Sequence, residues 1–171
     1  QTPTTTTVSF GPGPFVYTGS AFTATASVSP SGSGSATIAY TGDCTNAGST
    51  CTATATYAGD ATHLPSSAVA NITITKAPST TVVTGGGTFV FDGSSHALAA
   101  TVTGAGGLNA SVPVVGCLAA PTNVADSCTG TATYAGDANH DGSTDSAAVT
   151  ITKAPSTTVV TGGGMFTATK Q

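Results

Sequence analysis

Residues 51–57 set the pattern for the chain. Cys51, Ala53, Ala55 and Tyr57 alternate with Thr52, Thr54 and Thr56, the period of two expected where one face of a strand is buried and the other is wet. The same alternation puts Phe22, Ala24, Ala26 and Val28 opposite Thr23, Thr25 and Ser27. It also sets Ala70, Ile72 and Ile74 inward against Asn71, Thr73 and Thr75. Shorter β-branched runs at 4–9, 15–17 and 36–40 read as further strands, separated by turns such as Gly11-Pro12-Gly13-Pro14 and Thr18-Gly19-Ser20. No window carries the i, i+3, i+4, i+7 stripe of an amphipathic helix. The expected fold class is all-β.

The pattern then repeats. The run Ala77-Pro78-Ser79-Thr80-Thr81-Val82-Val83-Thr84-Gly85-Gly86-Gly87 recurs letter for letter from Ala154 to Gly164, an offset of 154 − 77 = 77 residues. A looser copy opens the chain at Thr2-Pro3-Thr4. Phe89-Val90-Phe91 answers Phe15-Val16-Tyr17, and His96, Leu98, Ala100 and Val102 take the inward places of the Phe22 strand. Cys128, Gly130, Ala132 and Tyr134 match the Cys51 strand, and Val149 and Ile151 match Ile72 and Ile74. A fixed period of this size means tandem modules. The predicted units are module 1 at 1–76 and module 2 at 77–153. Residues 154–171 copy only the opening of a module and read as an extra strand segment. With about seven short strands per unit, each module is expected to be an antiparallel β-sandwich.

Composition narrows the chemistry. There is no Arg, Glu or Trp; the only cations among Lys and Arg are Lys76, Lys153 and Lys170, and all seven acids are Asp. Charged residues make up 6% of the chain, far below the usual quarter, and Thr, Ser, Gly and Asn supply the polarity instead. A net charge of −4 without a basic cluster argues against nucleic acid or an anionic membrane surface as partner. No apolar run approaches the roughly 18 residues of a membrane span, so no membrane insertion is expected. Gln1 is compatible with a mature N-terminus left after leader cleavage.

Each module holds two cysteines, Cys44 and Cys51 in the first, Cys117 and Cys128 in the second, and the second member of each pair precedes its tyrosine by 57 − 51 = 134 − 128 = 6 residues. An even count with matched placement predicts one disulfide per module and an oxidising compartment, extracellular or at the cell surface. A zinc site is the rival reading, and it lacks histidines at ligand spacing. The inward residues are mostly Ala, Val and Ile, so the cores are thin. A cystine closing a short loop is then a large share of each unit's stability.

The stretch from Cys51 through Tyr57-Ala58-Gly59-Asp60-Ala61-Thr62-His63 to Ile72-Thr73-Ile74 resembles the C-terminal half of bacterial immunoglobulin-like repeats, and Tyr134-Ala135-Gly136-Asp137-Ala138-Asn139-His140 shows the same motif more fully. The resemblance implies tandem Ig-like sandwiches in large secreted or surface-attached proteins, often adhesins. The cysteine pairs depart from the common pattern of that family.

Four sets of residues are candidates for a role. Tyr57 with Asp60, and Tyr134 with Asp137, read as structural corners in which the ring packs inward while hydroxyl or carboxylate ties down the loop. Asp137, Asn139, Asp141, Ser143 and Asp145 stand at positions 1, 3, 5, 7 and 9 of a calcium-type loop with Gly142 at 6. The bidentate acid of position 12 is replaced by Ala148. Ca²⁺ is therefore the one cofactor this loop suggests, against the plainer reading of an Asp/Asn/Gly turn. His63 and His140 occupy equivalent loop positions and are expected at the surface, while His96 is expected to pack half-buried. Thr157, Thr158, Val159, Val160 and Thr161 are the candidate assembly strand, an unpartnered edge that could add to a neighbour's sheet. No acid/base pair and no G-x-S-x-G motif can be read, so no enzyme is expected.

Three functions follow as expectations. The first is an extracellular structural stalk or adhesin segment whose partners are neighbouring modules. The second is a self-assembling filament joined by strand complementation through the C-terminal segment. The third is a carbohydrate- or protein-binding module, which the low aromatic content of 6% supports poorly.

Overall fold

Alternating Thr and small apolar residues give strands that bury one face and wet the other, and the fold is built almost wholly from them. The computed structural model describes residues 1–117 and 119–164. In the first repeat β1 (Thr5–Ser9) pairs antiparallel with β2 (Thr25–Ser29), with Thr6 opposite Val28 and Val8 opposite Ala26. A second antiparallel sheet has the order β3 (Thr37–Gly42), β4 (Thr50–Tyr57), β5 (Ser66–Thr73). In the second repeat β6 (Ser79–Thr84), β8 (Ala99–Gly104) and β9 (Asn109–Ser111) form one sheet in the order β6-β8-β9. The other sheet has the order β10 (Val114–Val115), β11 (Cys128–Tyr134), β12 (Ser143–Thr152), β7 (Gly87–Val90). The β7–β12 pair is parallel, and a parallel bridge between Val16 and Thr75 holds the matching place in the first repeat.

The first strand of each repeat lies against the last through hydroxyls rather than methyl groups. Thr4 and Thr6 both meet the Ser66 hydroxyl at 2.7 Å. In the second repeat Ser79 and Thr81 meet that of Ser143 at 2.8 and 2.7 Å. Hydroxyl pairs of this kind satisfy polar groups at a partly buried seam, which an isolated Thr could not do for itself.

The cores are small. Val83, Ala100, Val102, Val112 and Ala132 form the second repeat's cluster, with Leu98, Leu108 and Val114 packed against it. In the first, Cys51, Ile72 and Ile74 meet Phe10, Phe15 and Phe22, and the Phe15–Phe22 rings stand edge to face at 5.4 Å. Small residues let the layers approach closely. A Cβ on Gly130 would lie 2.5 Å from Val114 Cγ1 and 2.6 Å from Leu98 Cδ1. At the matching position of the first repeat, Ala53 is fully buried.

Two expectations about elements shift. The strand read from Phe22 begins at Thr25, because the Phe22 amide donates to the Cys44 carbonyl at 2.9 Å rather than to a ladder. Residues 154–164 of the expected C-terminal segment enter no sheet and are exposed, since β-branched residues make a strand only beside a partner edge. The rest of that segment, 165–171, lies outside the described residues.

Candidate functional site

Two disulfides close the loops ahead of β4 and β11. Cys44 is bonded to Cys51 and Cys117 to Cys128, with Cα–Cα distances of 4.6 and 5.5 Å.

Each of those strands ends in a tyrosine and then a turn. After Tyr134 the chain reverses at Gly136, whose φ is +87° and where a Cβ would meet the His140 carbonyl oxygen at 2.7 Å. Glycine alone adopts that backbone without strain. The turn delivers the Asp137 carboxylate to a ring of donors. Tyr134 Oη donates at 2.7 Å, the amides of Asn139 and His140 at 2.7 Å each, and His140 Nδ1 at 2.9 Å. The hydroxyl and the imidazole together hold the carboxyl well below the usual carboxylate range, because each bond favours the charged form. The Tyr134 phenol is pushed up, first by burial and then by the neighbouring carboxylate. Asp60 gathers Tyr57, Thr62 and His63 in the same way, at 3.0, 2.7 and 2.7 Å, and its carboxyl is likewise lowered, with the His63 side chain the leading cause.

The second corner differs from the first in what covers it. Asn139 Oδ1 accepts from the Ala47 amide at 2.9 Å, and its Nδ2 donates to Asn46 Oδ1 at 3.0 Å, so one side chain ties two sequence-distant loops. Ala77 enters a short ladder there, donating to the Asn139 carbonyl and accepting from the Asp141 amide, both at 2.9 Å. Lys76 Nζ caps the Asp137 carbonyl at 2.5 Å. The Tyr17 ring stands edge to face with His140, centroids 5.2 Å apart. Beside it the two backbones nearly touch, since a Cβ on Gly19 would fall 2.5 Å from Gly106 Cα. The first repeat's loop is prepared for this contact by Asp43. Its carboxylate takes the amides of Thr45 and Asn46 and the Asn46 Nδ2, leaving Asn46 Oδ1 to face Asn139.

His140 corrects an expectation. Its loop position predicts exposure, yet it is only 4% exposed, because Tyr17 and the 105–107 turn cover it. Nδ1 faces the Asp137 carboxylate, and Nε2 lies 2.8 Å from the Ala105 carbonyl. Both neighbours can only accept, so the site favours the doubly protonated ring. Burial works against that charge, but the Ala105 carbonyl and Asp137 outweigh it and raise the pKa above the ordinary histidine value. His63 is partly covered, and His96 stacks on Phe89 at 3.8 Å.

Four of the five calcium-type positions have other partners. Asp137 faces the corner and Asn139 the first repeat; Ser143 meets Ser79 and Thr81, and Asp145 Oδ2 accepts from the Val83 amide at 2.8 Å. Among the described residues, no three His, Cys, Asp or Glu side chains gather as a metal site would need. The candidate assembly residues Thr157, Thr158, Val159, Val160 and Thr161 are exposed and outside any sheet. Among the described residues no helix is long and apolar enough to cross a membrane.

The corner residues are near neighbours in the chain, and their partners are not. Tyr17, Asn46, Ala47 and Ala105 lie far from the corner in the chain. The one available signal was the recurrence of Thr45-Asn46-Ala47 as Thr122-Asn123-Val124. The chain matches no protein-family model and no curated protein.

Proposed function

We propose that this chain is a structural segment of an extracellular stalk or adhesin, in which Ig-like modules are coupled end to end so that each sets the direction of the next. The observation that carries the reading is the Asn139–His140 junction. A flexible tether would need none of its contacts. Here side-chain hydrogen bonds from Asn139, a backbone ladder at Ala77 and the Tyr17–His140 packing bridge the repeats. Domain pairs without such contacts move freely by default. The two cystines support an oxidising location, and the sparse charge suits a passive surface. The function is mechanical, and its partners are other modules of the same kind. Labelling of intact source cells with an antibody to the chain tests the location. Surface labelling with no free thiol in the native protein is expected, and a signal appearing only after lysis would refute it.

A second reading, a filament joined through the C-terminal segment, draws on the exposed residues 154–164. Its difficulty is that β1 already fills the place such a strand would take. In register, Gly162 would stand where Phe10 packs on Phe15 at 6.3 Å. Deletion of 154–171 separates the two: loss of concentration-dependent polymers would favour the filament.

A further inference from the structure

The end of the second repeat that faces away from the first is built like the surface that receives Asn139. At the occupied junction the first repeat offers Tyr17, held by its amide on the Thr75 carbonyl at 2.9 Å, and the Asn46-Ala47 loop held by Asp43. At the far end of the second repeat, Phe91 is held by its amide on the Thr152 carbonyl at 2.8 Å. The Asn123-Val124 loop is gripped there by Asp126, whose Oδ2 accepts from the Asn123 amide and from Asn123 Nδ2, both at 3.0 Å. As in the first repeat, a carboxylate three residues away occupies the side-chain amide nitrogen. Among the described residues the Val124 amide, counterpart of the Ala47 donor, has no acceptor.

Exposure separates the two surfaces. Tyr17 and Ala47 are partly covered, whereas Phe91 and Val124 are 43% and 40% exposed. Ala77 is 1% exposed in its ladder with the corner, while its copy Ala154 is open to solvent. Lys153-Ala154 repeats Lys76-Ala77, the pair that crosses the occupied junction.

We infer that Phe91, Asn123 and Val124 form a docking surface for the Asp-x-Asn-His corner of a further repeat, carried on the chain that leaves through Lys153 and Ala154. The chemistry required of the partner is specific. It presents an Asn side chain to accept from the Val124 amide, a His ring to pack on Phe91, and a backbone edge to pair with Ala154. The inference rests on the stalk reading and names the surface by which a stalk would continue.

A three-repeat chain tests it. Because 154–164 duplicates 77–87, residues 88–171 can follow Gly164 with positions 1–164 unaltered. Amide exchange is measured at Val124 and, as internal reference, at Ala47. Val124 is expected to exchange at least tenfold more slowly than in the 171-residue chain, and Asn→Ala at the third corner is expected to reverse the gain. If the appended repeat fails to fold, a second chain in which Lys153 runs into residues 2–76 carrying Thr62→Asn presents the Asp60–His63 corner with the required asparagine and is read in the same way. Unchanged Val124 exchange with Ala47 still protected overturns this inference alone. Fast exchange at both overturns the coupled-repeat reading as well. Protection of Val124 that rises with concentration in the two-repeat chain would assign the surface to a second copy and also overturn the inference.

Discussion

Asn139→Ala isolates the coupling between the repeats. The substitution removes the bond from the Ala47 amide to Oδ1 at 2.9 Å and that from Nδ2 to Asn46 Oδ1 at 3.0 Å. It leaves the Asp137 corner intact, because that corner uses the backbone amide of residue 139 and not its side chain. It leaves both cores untouched. A neutral hydrogen bond contributes about 1 kcal/mol net, so the junction is expected to lose about 2 kcal/mol, close to a thirtyfold change in its opening equilibrium. Amide exchange read residue by residue is the suitable assay, since the Ala77 amide, bonded to the Asn139 backbone carbonyl that the substitution leaves in place, reports opening of the junction while Val102 and Ala132 report unfolding of the core. Ala77 is expected to exchange about thirtyfold faster in the variant, with core amides unchanged. An unchanged Ala77 rate would show that the repeats are not held through this side chain. Equal acceleration of the core amides would show that the residue supports the fold and not the coupling.

Other consequences can be measured independently. Replacing Cys44 and Cys51 by Ser opens a loop with a sequence separation of 7; the chain-entropy relation gives ~2.5 kcal/mol, and thermal unfolding is expected to fall by about 10–20 °C in the first repeat. Gly130→Ala forces a methyl group against Val114 and Leu98 at 2.5 and 2.6 Å and is expected to cost about 1–3 kcal/mol in urea unfolding. The pH response has two limbs. The His140 pKa is raised, so its contribution is fully present below the unfolded value of about 6.5 and is lost as pH rises through the folded value. The Asp60 and Asp137 pKa values are lowered, so theirs is present above about 3.9 and is lost as pH falls through the folded values. Ala47 protection is therefore expected to be greatest between about pH 4 and 6.5, and His140→Gln to flatten the alkaline limb. An alkaline limb that persists in the variant would refute the assignment.

How much of this could be read in advance depended on whether the cause was local. The alternation at 51–57 predicts the buried faces of Cys51, Ala53, Ala55 and Tyr57 because a strand's pleat fixes side-chain direction within two residues. The Tyr-x-Gly-Asp corner was legible for a similar reason, since Asp137 binds amides two and three positions ahead. The junction was not. Asn139 meets Asn46 and Ala47 across separations of 93 and 92 residues, and no local pattern encodes that pairing. The burial of His140 was missed for the same cause, because its cover includes Tyr17 from the other repeat. Asp145 was read as an ion ligand by spacing alone. Its strand turns it toward the Val83 amide of β6 instead, a contact that depends on how the two sheets stack.

The central claim is that the two repeats move as one body. Residual dipolar couplings of the whole chain in a weakly aligning medium test it most directly. One alignment tensor fitting the amides of β3–β5 and β11–β12 together is the predicted result. Two tensors of different magnitude or orientation would contradict it, because they would mean that the Asn139–His140 contacts do not hold in solution.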